Sequence, residues 1–507
     1  MEKNVKKKSV AKKLKKKLKQ KIYNWHKILA FITIIPVLFW CLSGLMHPFM
    51  AHFFKPQIAN EILEKKPIDS VKIKVNLKTA LIQNDISEIK NIRFVSFDDN
   101  QYYQIKTVQD SVLYFNTLDG KKFQNGDQKY AVWLSRYFLA DQKSEVQNQT
   151  LLTEFNSQYK YVNRYLPVYK ITFNRDDKME VYVETTTDKL ATFNPKSRQA
   201  FIWFFDTFHN WSFIDSISNN TIRISLMIFL LSIIGFSALS GIVIYGLFWK
   251  QFKKIKSDDA SSKRRKYHRQ TGLALALFTL TFAFSGGYHA TKKWNSIPFE
   301  KMTYEPVFKV NDFEEINKLS ILKHFENVSL IQFKDSVFYR CQFADGEKKE
   351  VKYFNSISKK ESKNTDVEYA KFLAAYFNAK VFKEGKSCCE MESVSEVNSI
   401  KETIKETELI TDFKNHDYGF VNKRLPVVKV AFDSKNNKTL FVETATSHLA
   451  AFITDSDRAE GYSFAVFHKF LFMEWAGKDL RDLTMVLAAL GVLTVGILGL
   501  SLLLKRK

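Results

Sequence analysis

Cysteine is scarce in this chain. The four present among 507 residues, Cys41, Cys341, Cys388 and Cys389, are too few for a disulfide scaffold. No CxxC and no mixed Cys/His spacing suited to zinc accompanies them. Cys41 sits in an apolar run and reads as inert packing. Cys388-Cys389 reads as part of a surface loop, with a bridge to Cys341 as the alternative. Missing too are a glycine-rich phosphate loop, a GxGxxG after a strand, an HExxH and a Ser/His/Asp signature. Those absences argue against a built-in nucleotide site, a zincin and a serine hydrolase. The acidic residues are scattered, so spacing supports no paired-carboxylate chemistry.

Charge is missing where it matters most. Four apolar runs, Ile28–Met46, Ile224–Phe248, Thr271–Ala290 and Leu483–Leu504, contain no acidic residue, and each is long enough to cross a bilayer. The first is too long for a cleavable signal and lacks a small-residue cleavage site. Pro36 inside it would kink a helix whose freed carbonyl neighbouring helices can cover. The net charge of +24 is concentrated beside these runs. The start of the chain up to Lys27, the segment Lys250–Arg269 and Lys505–Lys507 together hold 24 basic and 3 acidic residues. A basic excess confined to segments flanking apolar runs is the positive-inside pattern, not a nucleic-acid surface. The lysine-rich start is also suited to lie against anionic headgroups.

The histidines then stand out. Trp25-His26-Lys27 leads through the first run to Ser43-Gly44-Leu45-Met46-His47, and Tyr267-His268-Arg269 leads through the third to Ser285-Gly286-Gly287-Tyr288-His289. Both histidine pairs are 21 positions apart, about 31 Å on a helix, close to the hydrocarbon thickness of a bilayer. Other stretches repeat as well. Val112–Asn116 is echoed by Val351–Asn355, Val162–Val168 by Val421–Val427, and Val183–Thr185 by Val442–Thr444. The aromatic segments Phe204–Trp211 and Phe464–Phe470 carry His209 and His468 at the same offset of 259 as the last two echoes. The chain therefore reads as an internal duplication of helix, outer domain, helix. Short alternating runs (Ile92–Phe97, Tyr102–Thr107, Val168–Phe173) around helical patterns (Ala131–Ala140, Tyr369–Ala379) make each outer domain a small α+β module.

The expected organisation is a cytoplasmic polybasic tail (1–21), transmembrane helix 1 (22–50), an outer module (51–200) and an interfacial helix with transmembrane helix 2 (201–250). A cytoplasmic loop (251–266), transmembrane helix 3 (267–292), a second outer module (293–460) and an interfacial helix with transmembrane helix 4 (461–507) complete it. Both termini are expected in the cytoplasm. The aromatic segments should lie in the membrane interface, bringing His209 and His468 near the level of His47 and His289.

Six of the ten histidines keep register in the duplication: His26, His47, His209, His268, His289 and His468. Ionisable groups at membrane depth are costly and mark sites. A structural zinc centre needs four grouped ligands, whereas two facing histidines complete a haem iron whose other four nitrogens come from the porphyrin. Small residues at Ser43, Gly44, Ser285, Gly286 and Gly287 would let a flat macrocycle approach, and the abundant phenylalanines would keep it dry. The missing CxxCH makes any such haem non-covalent. Haems near opposite faces would form an electron relay across the membrane. The unmatched His52, His324, His416 and His448 are expected to be surface or turn residues. Arg164, Lys423 and Arg424, beside the repeated Leu-Pro, are expected to be solvated strand-end charges, with attraction of an anionic chelate as the alternative.

The aromatic or Trp-His-Lys start, the Ser-Gly before the second histidine, the Phe-x-x-Phe-His segments and the two outer α+β modules resemble the PepSY-associated transmembrane proteins. That group includes iron-regulated inner-membrane proteins and ferric-siderophore reductases. The resemblance implies four transmembrane helices in a bacterial inner membrane, two periplasmic PepSY modules, haem b (two are expected) and electron transfer outward to a ferric chelate. Carried over, His26 and His268 would ligate the inner haem, while His47, His209, His289 and His468 are outer candidates whose pairing stays open. Unlike variants with a fused flavin reductase module, this chain would draw electrons from a quinol or a separate cytoplasmic reductase. The competing expectation is a non-enzymatic membrane protein whose modules bind a peptide or protein partner. A metal-ion carrier is disfavoured, because the runs contain no acidic residue to bind a cation.

Overall fold

The structure, a computed structural model, describes residues 2–253, 259–294, 297–314, 325–343, 350–384 and 402–504. Cys388, Cys389 and His324 lie outside the described residues. The chain forms two compact units. One comprises Met1–Lys55, Ser197–Ser296 and Ser456–Lys507, and the other Pro56–Lys196 and Ile297–Asp455.

The first unit is helical. Helix α1 runs from Glu2 to Phe53, through Pro36 and Pro48, so residues 2–21, expected as a tail, begin the same helix. Lysine is a good helix former, and nothing before Pro36 interrupts it. In the second unit lies α2 (Leu77–Gln83), while α3 there spans Gly126–Leu139. Back in the helical unit, α4 (Lys196–Phe208) and α5 (Asn220–Phe252) follow. Asn219 caps α5 by accepting from the Ile222 amide at 3.0 Å. Asp259 does the same for α6 (Ala260–Thr291), accepting from Ser262 N–H at 2.7 Å. After α7 (Thr365–Glu384) of the second unit, α8 (Asp455–Phe467) and α9 (Gly477–Leu504) close the bundle. Four segments, Lys16–Met50, Asn220–Phe252, Ala260–Thr291 and Leu471–Leu504, are long and apolar enough to span a membrane, in agreement with the four runs read from sequence. α1 packs on α5 and α9, and α6 packs on the same two, which makes a four-helix ring. The protein is a multi-pass membrane protein.

The second unit is α+β, built from four four-stranded antiparallel sheets. β1 (Glu88–Phe97), β2 (Asn100–Thr107) and β3 (Val112–Asn116) form a meander. The β1–β2 hairpin turns on Asp98 and Asp99 at φ 48° and 59°, the positive values that a tight two-residue turn requires. β4 (Val146–Leu152), β5 (Val168–Phe173), β6 (Glu180–Glu184) and β7 (Lys189–Asn194) make the next sheet. The later part of the chain repeats this order. After β8 (Phe308–Lys309) come β9 (Phe325–Phe333), β10 (Ser336–Phe343), β11 (Val351–Asn355) and β12 (Glu361–Ser362). Then β13 (Ile404–Ile410), β14 (Val427–Phe432), β15 (Thr439–Glu443) and β16 (His448–Ile453) follow. α3 and α7 each cover the sheet that follows them in their half.

The two expected modules are not separate bodies. β8, encoded after α6, pairs with β1 (Ile89 opposite Phe308) and completes the first sheet. Ile89, Ile92 and Phe94 from the first half pack in one core with Phe325, Val328 and Leu330 from the second. The amide of Ile68 donates to the carbonyl of Phe325 at 2.7 Å.

Candidate functional site

Within the helical unit the matched histidines converge on two places. At one end His26 of α1 faces His268 of α6, with ring centroids 6.4 Å apart and planes tilted 49°. Close packing makes this possible. A Cβ on Gly241 of α5 would lie 3.3 Å from Cε1 of His26, and one on Gly499 of α9 would lie 3.3 Å from Cε1 of His268. A larger residue at either position would push the ring aside. Nδ1 of His26 lies 2.9 Å from Ser240 Oγ and 3.1 Å from the Ser237 carbonyl. His268 is held differently: like His26 with Ser237 it has a backbone partner, the Val495 carbonyl, but Leu498 precedes Gly499 where Ser240 precedes Gly241, so the matching place offers no hydroxyl.

The second place brings His209 and His468 together, again at 6.4 Å between centroids, with planes at 84°. Each is fixed by a serine on a membrane helix. Ser43 Oγ is 3.1 Å from Nδ1 of His209, and Ser285 Oγ is 3.2 Å from Nδ1 of His468. The hydroxyl protons are already committed, Ser43 donating to the Phe39 carbonyl at 2.6 Å and Ser285 to that of Thr281 at 2.7 Å. Each serine can therefore only accept from the imidazole, which fixes the Nδ1–H tautomer and leaves the Nε2 lone pair free. Ser240 acts alike toward His26, since it donates to Ser237 O at 2.7 Å.

His209 reaches this position because the chain turns sharply after α4. Trp211 has φ 55° and Phe470, after α8, has φ 53°. Trp40 donates its indole N–H to the His209 carbonyl at 2.9 Å and stacks on Trp211 at 5.1 Å; in the other half Phe282 stacks on Phe470 at 5.7 Å. Both outer rings are half-buried. Burial, followed by the neighbouring His468, pushes His209 down to about 3. Burial, followed by His289, pushes His468 down to about 4. Burial thus favours the neutral form of both rings.

His47 and His289 lie one turn beyond Ser43 and Ser285 and do not form a third pair. A phenyl ring separates each from its neighbour. Phe464 stacks between His289 (4.5 Å) and His468 (4.7 Å), and Phe205 lies between His47 (6.1 Å) and His209 (4.5 Å). The halves differ here. His289 Nδ1 meets Glu460 Oε1 at 2.8 Å, whereas His47 meets Phe201 at 6.5 Å.

A metal between two imidazoles needs about 2.0 Å to each nitrogen and about 1.1 Å more to each ring centre, roughly 6.2 Å in all. Both pairs match that separation. Among the described residues no three or more His, Cys, Asp or Glu converge on one point. A metal held by either pair must therefore bring its remaining ligands with it. Along α1, His26 and Ser43 are 17 residues apart, as are His268 and Ser285 on α6, which puts the two places roughly 26 Å apart.

Two expectations from sequence need correction. His448 is buried in β16, its Nδ1 3.0 Å from Thr303 Oγ1. His52, in the last turn of α1, and His416 are exposed as expected; His52 also bonds the buried Asp482 at 3.0 Å. Arg424 is no solvated strand end. It is buried with Glu443 at 2.8 Å and Glu184 at 3.6 Å, over the Tyr165 ring at 4.7 Å. Lys423 donates to the Ala191 carbonyl at 2.6 Å, and Arg164 lies 4.5 Å from the Tyr161 ring centre. Burial alone would raise the Glu443 carboxyl, but Lys189 and Arg424 hold it well below the usual range. The serines, Gly241 and Gly499 are the site residues whose contacts sequence reasoning missed; the Ser-Gly dipeptides at 240 and 285 were the visible signal.

A family model of the PepSY-associated TM region matches residues 104–506, more than half of the chain. No curated protein matches it.

Proposed function

The chain belongs to the PepSY-associated transmembrane family, and from that premise we propose that it is a haem-b-containing oxidoreductase of a bacterial inner membrane, passing electrons outward to a periplasmic ferric chelate as a ferric-siderophore reductase does. The observation that carries the reading is the shared 6.4 Å separation of His26–His268 and His209–His468. In this reading the protein is a duplicated helix–module–helix unit with both termini cytoplasmic and the α+β unit periplasmic. The repeated element order and the basic segments beside the spans support it.

His26 and His268 hold the inner group, and His209 and His468 the outer one. Haem bound at these places supplies a one-electron Fe(III)/Fe(II) couple. Ser240, Ser43 and Ser285 orient the rings and keep the proton on Nδ1. Phe205, Phe282 and Phe464 exclude water from the outer pair, which helps to set its potential. A quinol or a separate cytoplasmic reductase gives the electrons. The ferric chelate accepts one electron per iron, and Fe(II) then leaves hard oxygen ligands more readily.

Protein purified from haem-replete cells should show the paired visible bands of low-spin haem after dithionite. His26→Ala or His268→Ala should remove the inner absorbance and spare the outer. A colourless protein would sink the reading in favour of a partner-binding membrane protein.

A further inference from the structure

The face of α1 opposite His26 takes no part in the histidine pairs, and it carries an open groove. Lys17, Gln20, Lys21, Asn24, Trp25 and Ile28 line one groove of about 310 Å³. Their spacings of three and four residues put them on one side of the helix. All six are exposed. On the opposite side Lys19 reaches the Leu247 carbonyl of α5, and His26 reaches Ser240, so the groove faces away from the bundle.

Charge and polarity are graded along it. Lys17 and Lys21 form one end and make no ion pair among the described residues. No acidic residue occurs between Lys3 and Phe53, so α1 supplies no counter-ion after Glu2. Gln20 and Asn24 offer amide donors in the middle, bonded to each other at 3.2 Å. Trp25 and Ile28 make the far end apolar, where α1 enters its uncharged run. Lys17 to Ile28 covers roughly 16 Å of helix. A soluble anion would use only the lysine end. An amphiphile with an anionic head would use both, its phosphate at the lysines and an acyl chain along the indole and isoleucine, where tryptophan favours the bilayer interface.

We propose that this groove is a binding site for one anionic phospholipid, with Lys17 and Lys21 holding the phosphate, Gln20 and Asn24 the headgroup, and Trp25 and Ile28 the first part of an acyl chain. The site is independent of the haem reading, because none of its residues touches the histidine pairs.

The test titrates phosphatidylglycerol and phosphatidylcholine into delipidated full-length protein in a non-ionic detergent, with bound lipid counted by native mass spectrometry. One phosphatidylglycerol should bind more tightly than any phosphatidylcholine. Lys17→Gln with Lys21→Gln should weaken that first binding about 30-fold, since each lysine at an anionic surface contributes about a fivefold factor. Ile28→Gln should weaken the lipid while leaving inorganic phosphate unaffected. The proposal is overturned if the double variant loses less than threefold, if both lipids bind equally, or if inorganic phosphate alone binds as well as the lipid.

Discussion

The two histidine pairs share a centroid separation but differ in how they are held. The outer pair is symmetric: His209 and His468 each give Nδ1–H to a serine whose own proton is committed to the helix behind it. The inner pair is lopsided. His26 has Ser240 and the Ser237 carbonyl, while His268 has the Val495 carbonyl and a leucine where the serine would stand. Spacing is thus set by the helix ring and its glycines, whereas ring orientation is set by single hydroxyls that can be gained or lost. An orienting partner behind a ligating histidine typically changes metal affinity tenfold to a hundredfold. The inner place should therefore be the weaker one.

Removing a ring tests the comparison most severely. His209→Ala or His468→Ala should abolish the outer haem signal, while His47→Ala and His289→Ala should retain it; absorbance spectra of the four variants decide the pairing. Equal loss from His47→Ala would show that the phenyl-separated histidines are ligands.

The next effect lies in the α+β unit and asks whether the pairs depend on it. Arg424→Met leaves Glu184 and Glu443 buried with one cation fewer, a loss of about 3–5 kcal/mol. Thermal unfolding should report that loss, with the haem spectra unchanged. The sign of the pH dependence follows from Glu443. Its folded carboxyl is held low, so its stabilising contribution is full above the unfolded value of about 4.3 and is lost as pH falls below it. Lys189 shares the load, so Arg424→Met should diminish the acid transition and leave part of it.

Smaller still are the serine changes. Ser43→Ala and Ser285→Ala should each lower outer haem affinity about tenfold to a hundredfold, and Ser240→Ala should do the same only at the inner place. The finest probe adds a group. Leu498→Ser should give His268 the hydroxyl that His26 has, raising inner affinity about fivefold, the value of one hydrogen bond of about 1 kcal/mol. Haem-transfer measurements to an apo-globin check both. If Leu498→Ser weakens retention, the lopsidedness serves another purpose.

Much of this was legible before any coordinates. Uncharged runs, flanking lysines and a 21-residue histidine spacing are local signals, so the spans and six histidines could be read directly. β5 could too, because from Tyr169 to Phe173 buried and less buried residues alternate. The outer pairing could not, because it depends on a left-handed turn at Trp211 and Phe470, positions where neither residue announces one. Arg424 was misread for a similar reason: its partners Glu184 and Glu443 come from other strands, one more than 200 residues earlier in the chain. His448 looked unremarkable in sequence because Thr303, which pairs with it, is more than 140 residues away in the chain.

The pairing of β8 with β1 also bears on biosynthesis. A ribosome that has made only the first half leaves the Ile89 edge of its sheet bare, and the strand that seals it is encoded beyond two further membrane helices. Until roughly three-fifths of the polypeptide has emerged, that edge is open to pairing with a stranger. Expressed alone, an N-terminal half should therefore be a client of chaperones rather than a domain.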